Sequence, residues 1–213
     1  MFSGQIDFSS TAKLTPCQRF RCRINKDLLL RQLTLEDAAE LFALTEANRI
    51  RLRQWLPWLD DSTAAAQTRQ FIQRKQAIAE VNQEVVAAIC YRGAIAGLIS
   101  LHTISWPNQK GSIGYWLGQA YERKGLMTAA CTAVIDYAFT DLALHRIEIL
   151  CATQNVRSRA IPKRLGFTYE GILRESQCLY GRFVDHEIYA ILSHEWPPST
   201  PPPSTPPPST PSP

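Results

Sequence analysis

The chain has 213 residues, 45% of them hydrophobic, 20% charged and 9% aromatic, which suits one sizeable core and excludes a disordered polymer. No apolar run approaches the ~20 residues of a membrane-spanning helix. Met1 to Phe20 lacks the basic-then-apolar order of a secretory signal, so the expectation is a cytoplasmic protein with reduced thiols. Its 23 basic and 19 acidic residues leave a net charge of +4, compatible with an anionic ligand and too weak to argue direct nucleic-acid binding. The six cysteines contain no CxxC pair, which removes the usual zinc or dithiol reading.

Residues 1–23 read as an irregular segment. Leu28 to Leu33 is a strand, and Thr34 caps a helix with Ala38, Leu41 and Leu44 on one face. Glu36 and Asp37 favour the positive end of that helix. Ser62 opens a second helix carrying Phe71, Ile72 and Ile78. Glu84 to Tyr91 and Ala94 to Ser100 form a hairpin about Arg92-Gly93. Gly111 to Gly118 is a strand, Gly125 to Leu142 a long helix, Arg146 to Ala152 a strand and Val156 to Leu165 a helix. Phe167 to Leu173 and Asp185 to Ser193 close the set, giving a mixed α/β or α+β sheet flanked by helices. From Pro197 to Pro213 only Pro, Ser and Thr occur. That composition has nothing to bury, so the tail reads as a solvated polyproline-II segment, a spacer or a ligand for a proline-binding partner. The folded domain is then residues 24–196.

The segment from Tyr115 to Thr128 carries the strongest chemical signal. A strand runs through Tyr115, Trp116 and Leu117 into a turn with Arg123, Lys124 and Gly125, and the turn becomes a helix at Leu126, Met127 and Thr128. The first N–H groups of a helix lack intrahelical partners and sit at its positive end, so this junction can cradle a phosphate or diphosphate. It has neither the P-loop GK[ST] nor a GxGxxG fingerprint, and the glycine can equally serve close helix–strand packing.

The runs IGYWLGQAYERKGLMTAA and, further on, NVRSRAIPKRLGFTYEG resemble the acyl-CoA N-acetyltransferases of the GNAT superfamily. The resemblance is closer to the RimJ/RimL-like branch, which includes ribosomal-protein N-terminal acetyltransferases. RLRQWLPWLDD from Arg51, the hairpin at Gly93 and GRFVDHEIYAILSHEW from Gly181 agree with it. The resemblance covers Asn25 to Trp196. It implies a mixed, mostly antiparallel sheet whose strands Ile113 to Leu117 and Arg146 to Ala152 splay into a wedge for acetyl-CoA. Glu122-Arg123-Lys124-Gly125-Leu126-Met127 matches the helix signature Q/R-x-x-G-x-G/A, except that Glu122 puts an anion beside the diphosphate.

The same resemblance implies roles. Tyr115, Trp116, Leu117, Arg123, Lys124, Gly125, Leu126, Met127 and Thr128 would hold the coenzyme, with a backbone N–H near Leu117 polarising the thioester. Asn155 would bond the coenzyme arm, and Ser158 would protonate the departing thiolate; the two also suit a helix cap and first turn. Arg157, Arg159, Lys163 and Arg164 could reach a coenzyme phosphate or form a solvated face. The branch's glutamate base falls on Gln177 here. Glu175, two residues earlier and on the same face of an extended strand, is the substitute.

A protein N-terminal α-amine, pKa ~8, costs only ~1.4 kcal/mol to deprotonate at pH 7, against ~4.6 kcal/mol for a lysine. One carboxylate, acting directly or through water, then suffices for such an α-amine. The resemblance makes a protein N-terminus, ribosomal among the candidates, the favoured acceptor, ahead of a polyamine, amino sugar or antibiotic. A catalytically silent coenzyme-A-binding module is the alternative of another class, motivated by Glu122 and Gln177. Asp185-His186-Glu187 reads as a solvated strand edge, Cys151 lacks an activating base for a ping-pong route, and the sequence leaves a homodimer open.

Overall fold

Val85 to Cys90 is an unbroken run of buried residues, the pattern of a strand covered on both faces. The computed structural model describes residues 20–197; most of the expected N-terminal segment and the proline-rich tail after 197 lie outside the described residues. In chain order it contains β1 (Arg21–Arg23), β2 (Leu28–Gln32), α1 (Ala38–Ala47), α2 (Arg49–Leu52), α3 (Ala65–Glu80), β3 (Val85–Tyr91), β4 (Ala94–Ser105) and β5 (Lys110–Leu117). Then follow α4 (Leu126–Thr140), β6 (Arg146–Ala152), α5 (Val156–Arg164), β7 (Thr168–Leu179) and β8 (Arg182–Leu192). The eight strands form one sheet in the order β1-β2-β3-β4-β5-β6-β8-β7. β5 and β6 pair in parallel and the other neighbours antiparallel, as a mixed, mostly antiparallel sheet requires.

Each face has its own core. α4 contributes Met127, Ala130, Cys131, Val134 and Ala138, one apolar stripe at helical spacing, packed against Ile99, Leu101, Ile113, Ile147 and Ile149. On the other face Ala38 and Leu41 of α1 and Ile72 of α3 meet Val86, Ala88, Ile95 and Leu98. Truncating Ile72 or Ile149, both essentially inaccessible, to alanine costs about 2–5 kcal/mol.

Several boundaries differ from expectation for physical reasons. Residues 21–23 are not irregular: β1 pairs with β2, and the buried Phe20 ring packs against Tyr137 in a tilted arrangement, centroids 4.8 Å apart. Asp37 stands in the first turn as expected and is buried there against Arg31 at 2.6 Å, with the Thr34 amide donating to it at 2.7 Å. α3 starts three residues after Ser62, because Pro57–Asp61 forms a 3-10 turn and Gln67 Oε1 takes the Thr63 and Ala64 amides. The hairpin turn has both Arg92 (φ 52°) and Gly93 (φ 88°) left-handed, the twist-matched two-residue connection.

Candidate active site

β5 and β6 run together for three rungs, Lys110/Arg146, Gly111/Ile147 and Ser112/Glu148, and then part. The Gly118 amide donates to the Ala96 carbonyl at 2.8 Å, which makes Gly97/Leu117 a non-hydrogen-bonded rung of the β4–β5 ladder. Alternate β5 residues, Tyr115 and Leu117 among them, therefore turn their N–H and C=O groups away from β4 and into the gap. Arg51 Nη2, from α2, reaches the Leu117 carbonyl.

A cleft of about 1660 Å³ fills the gap. Residues of both alternating sets of β5 and β6 line it. At one mouth stands the N-terminus of α4. Gly125 is its cap in the left-handed region, φ 73°, and the Ala129 amide, donating to the Gly125 carbonyl at 3.1 Å, begins the helical ladder. The amides of Leu126, Met127 and Thr128 thus precede the first intrahelical bond. A Cβ on Gly125 would meet nothing within 4 Å, so the space over this turn is open.

The expected coenzyme residues line this cleft with one exception. Lys124 turns back to donate to the Ala120 carbonyl at 2.6 Å beside the Tyr121 ring and does not face the cleft. Trp116 lines it on the face opposite Tyr115 and Leu117, as strand alternation requires, and packs against the α1–α3 core. Glu122 is neutralised from two sides, by Arg51 Nη1 at 2.5 Å and Arg157 Nη1 at 3.0 Å. The arginines of α5 divide. Arg157 serves Glu122, Arg164 ties α5 to Thr128 of α4 at 2.9 Å, and Arg159 is bound to Glu187 at 2.6 Å and to the Thr153 carbonyl at 2.8 Å. Lys163 is exposed outside the cleft.

Ser158 and Asn155 meet at the start of α5, where Asn155 Oδ1 caps the helix by accepting the Ser158 amide at 3.1 Å. The cap holds the Ser158 backbone, and the Ser158 Oγ lies 3.2 Å from Cys151 Sγ and 3.4 Å from the Tyr115 hydroxyl. The Tyr115 hydroxyl itself donates to the Ser158 carbonyl at 3.0 Å. Burial pushes both the Tyr115 phenol and the Cys151 thiol up. Cys151 therefore stays a thiol at neutral pH and gives no support to a covalent acetyl-cysteine.

The case for Glu175 loses its geometric premise. The β7–β8 register shifts between Leu173 and Gln177, with Glu175 in the bulge at φ 51°. Its amide donates to Asp185 Oδ1 at 2.7 Å, and the residue is exposed and outside the cleft lining. Leu173, Ser176 and Gln177 line the cleft instead. Nor is Asp185-His186-Glu187 a solvated edge. Glu187 is buried on Arg159 and Tyr189, whereas His186, on the opposite face, lines the cleft with its Nδ1 2.9 Å from Ser176 Oγ. Burial holds the His186 and His102 imidazoles below the usual value near 6.5. Arg51, His102, Ser176 and His186 are the cleft residues that sequence reasoning missed as site groups. Arg51 had a signal in the RLRQWLPWLDD run, but nothing local shows that it reaches Leu117. Of the tryptophans in that run, Trp55 lines the cleft and Trp58 does not.

Residues 27–168 match the model of the acetyltransferase (GNAT) domain. The chain belongs to the GNAT acetyltransferase family. It is 37% identical over 179 residues to the putative ribosomal N-acetyltransferase YdaF of Bacillus subtilis, covering 83% of this chain and 97% of that protein. Among solved GNAT structures, the microcin self-immunity acetyltransferase MccE in complex with acetyl-CoA and AMP aligns with a TM-score of 0.76. The two are 29% identical, over 79% of this chain and 94% of that one. RimL, a ribosomal α-N-protein acetyltransferase in complex with coenzyme A, aligns with a TM-score of 0.78 and 25% identity over 81% and 98% of the two chains. This GNAT chain is thus an N-acetyltransferase of the RimJ/RimL-like kind, and most of the residues expected at its site line the cleft between the parted β5 and β6.

Proposed function

We propose that the protein transfers the acetyl group of acetyl-CoA to the α-amine of a protein N-terminus, with a ribosomal protein as the favoured acceptor, which the cytoplasm supplies. The observation that carries the reading is the parting of β5 from β6 after the Ser112/Glu148 rung, with the open N-terminus of α4 at one mouth. The residues present fit the donor: amides at Leu126, Met127 and Thr128 for a diphosphate, and Tyr115 and Leu117 main-chain groups for the amide-bearing arm. A thioester carbonyl directed at the Leu117 N–H gains a donor as its oxygen becomes negative.

Transfer is direct. The neutral amine attacks the acetyl carbon, the carbon–nitrogen bond forms and the carbon–sulfur bond breaks. Ser158 hands its proton to the thiolate and is resupplied from the nitrogen, the Tyr115 hydroxyl at 3.4 Å keeping its Oγ aligned. The Glu122 charge, which on its own argued for a silent module, is offset by Arg51 and Arg157. The test is release of free thiol from acetyl-CoA over a panel of N-terminal peptides and small amines. Turnover concentrated on peptides supports the reading. Turnover confined to polyamines or amino sugars, or none, overturns it.

A further inference from the structure

The two faces of the sheet at the end of β6 carry different chemistry. On the α5 face, Cys151 brings Ser158 Oγ to 3.2 Å. One residue on, Ala152 pairs with His186 of β8, so their side chains share the opposite face. The gap is therefore flanked by a hydroxyl on one side and an imidazole on the other. We propose that His186, its Nδ1 held by the Ser176 hydroxyl, is the base that takes the first proton from the acceptor ammonium through Nε2, resting on the N-terminal acetylation reading above.

The proposed role requires the tautomer in which Nδ1–H donates to Ser176 Oγ, 2.9 Å away, which puts the ring's lone pair on Nε2. The bulge between Leu173 and Gln177, which carries Glu175 out of the cleft, is what brings Ser176 to the imidazole. Asp185 beside it and the Val184 carbonyl raise its proton affinity, but burial outweighs them. From β6, Glu148 shares its face four residues away and is engaged by Arg146 at 2.8 Å and Lys110 at 3.5 Å. From β7 the cleft receives the uncharged Leu173, Ser176 and Gln177, and from the segment after α2 Gln54, Trp55 and Leu56. A neutral imidazole is the form a proton acceptor needs at pH 7.

The protons balance. Of the three on the acceptor ammonium, one goes to His186 and then to solvent, one passes through Ser158 to the coenzyme thiolate, and one stays on the product amide.

The experiment follows thiol release from acetyl-CoA with a hexapeptide beginning with serine, from pH 5.5 to 9.5, alongside calorimetry with coenzyme A and a thermal midpoint. Wild type should lose kcat/KM on the acid side with a limb below about pH 6.5. His186→Asn should lose about 10²-fold in kcat at pH 7 and lose that limb, its rate rising towards pH 9 as the peptide amine deprotonates unaided. Its coenzyme affinity should stay within threefold. Ser176→Ala should keep the limb but move it. His186→Gln replaces His186→Asn if the latter melts early. A kcat within threefold of wild type, or an unchanged acid limb in the His186 variant, overturns this assignment and leaves the acetyltransferase reading standing. A wild type that acetylates no amine removes both.

Discussion

Arg51 Nη1 and Glu122 Oε1 meet at 2.5 Å across 71 positions of sequence, joining α2 to the turn that leads into α4. Arg157 of α5 closes on the other Glu122 oxygen at 3.0 Å, so one carboxylate organises two guanidinium groups at the mouth of the cleft. Two like charges roughly 7 Å apart repel by roughly 1 kcal/mol at an effective dielectric near 40, which is the scale on which Glu122 would oppose a diphosphate held at the start of α4. Glu122→Gln should therefore tighten coenzyme A binding about 3- to 10-fold and steepen its salt dependence, measured by calorimetry at two ionic strengths. Weaker binding would mean that aligning Arg51 and Arg157 matters more than the charge.

Ser158 is set by the Asn155 cap and flanked by Cys151 and Tyr115. Ser158→Ala should lower kcat about 10²-fold with coenzyme affinity unchanged. Because Cys151 is a buried thiol with its proton held, Cys151→Ala should retain turnover, and the wild-type enzyme incubated with acetyl-CoA should show no acetyl-enzyme by mass spectrometry. Unchanged turnover in Ser158→Ala, or a covalent adduct on Cys151, would contradict the direct route.

Gly125 has a left-handed backbone and open space where a side chain would project. Gly125→Ala should cost about 1 kcal/mol of stability through backbone strain alone, a fall of about 2–4 °C in Tm. Coenzyme affinity should fall further, at least tenfold, because the methyl enters the space over the helix N-terminus. Equal affinity in the variant would place the diphosphate elsewhere.

Most of the architecture was legible in the sequence, because period-2 and period-3.6 apolar patterns are local. β6 appears with the bounds read from RIEILCA, and the apolar stripe of α4 is the one read from Met127, Ala130, Val134 and Ala138. The strand–helix junction proposed to hold the coenzyme was legible too, since a glycine there lies within one short stretch. The acceptor end was not. Glu175 fails because a bulge breaks the alternation on which its assignment stood, and no residue pattern announced that bulge. His186 and Ser176 come together only through the β7–β8 register, and Arg51 meets Leu117 and Glu122 only through the tertiary fold. β1 was missed because three residues carry too little periodicity to register.

His102 and His186 both sit below the usual histidine value, chiefly through burial. A depressed pKa means that the unfolded chain binds protons the folded chain refuses, so stability is complete above about pH 6.5 and falls as pH drops below it. Tm should decline between pH 6.5 and 5, before carboxylates such as Asp37 protonate, and the His102→Gln variant should show a shallower decline. A flat Tm over that interval would contradict the burial of both rings.

Titration calorimetry of the purified protein with coenzyme A, and separately with acetyl-CoA, tests the account most directly, since everything rests on the parted strands and the α4 N-terminus holding that ligand. Saturable heat corresponding to one molecule per chain is the predicted result, with Gly125→Ala weakening both titrations. Absence of heat with both compounds would contradict it.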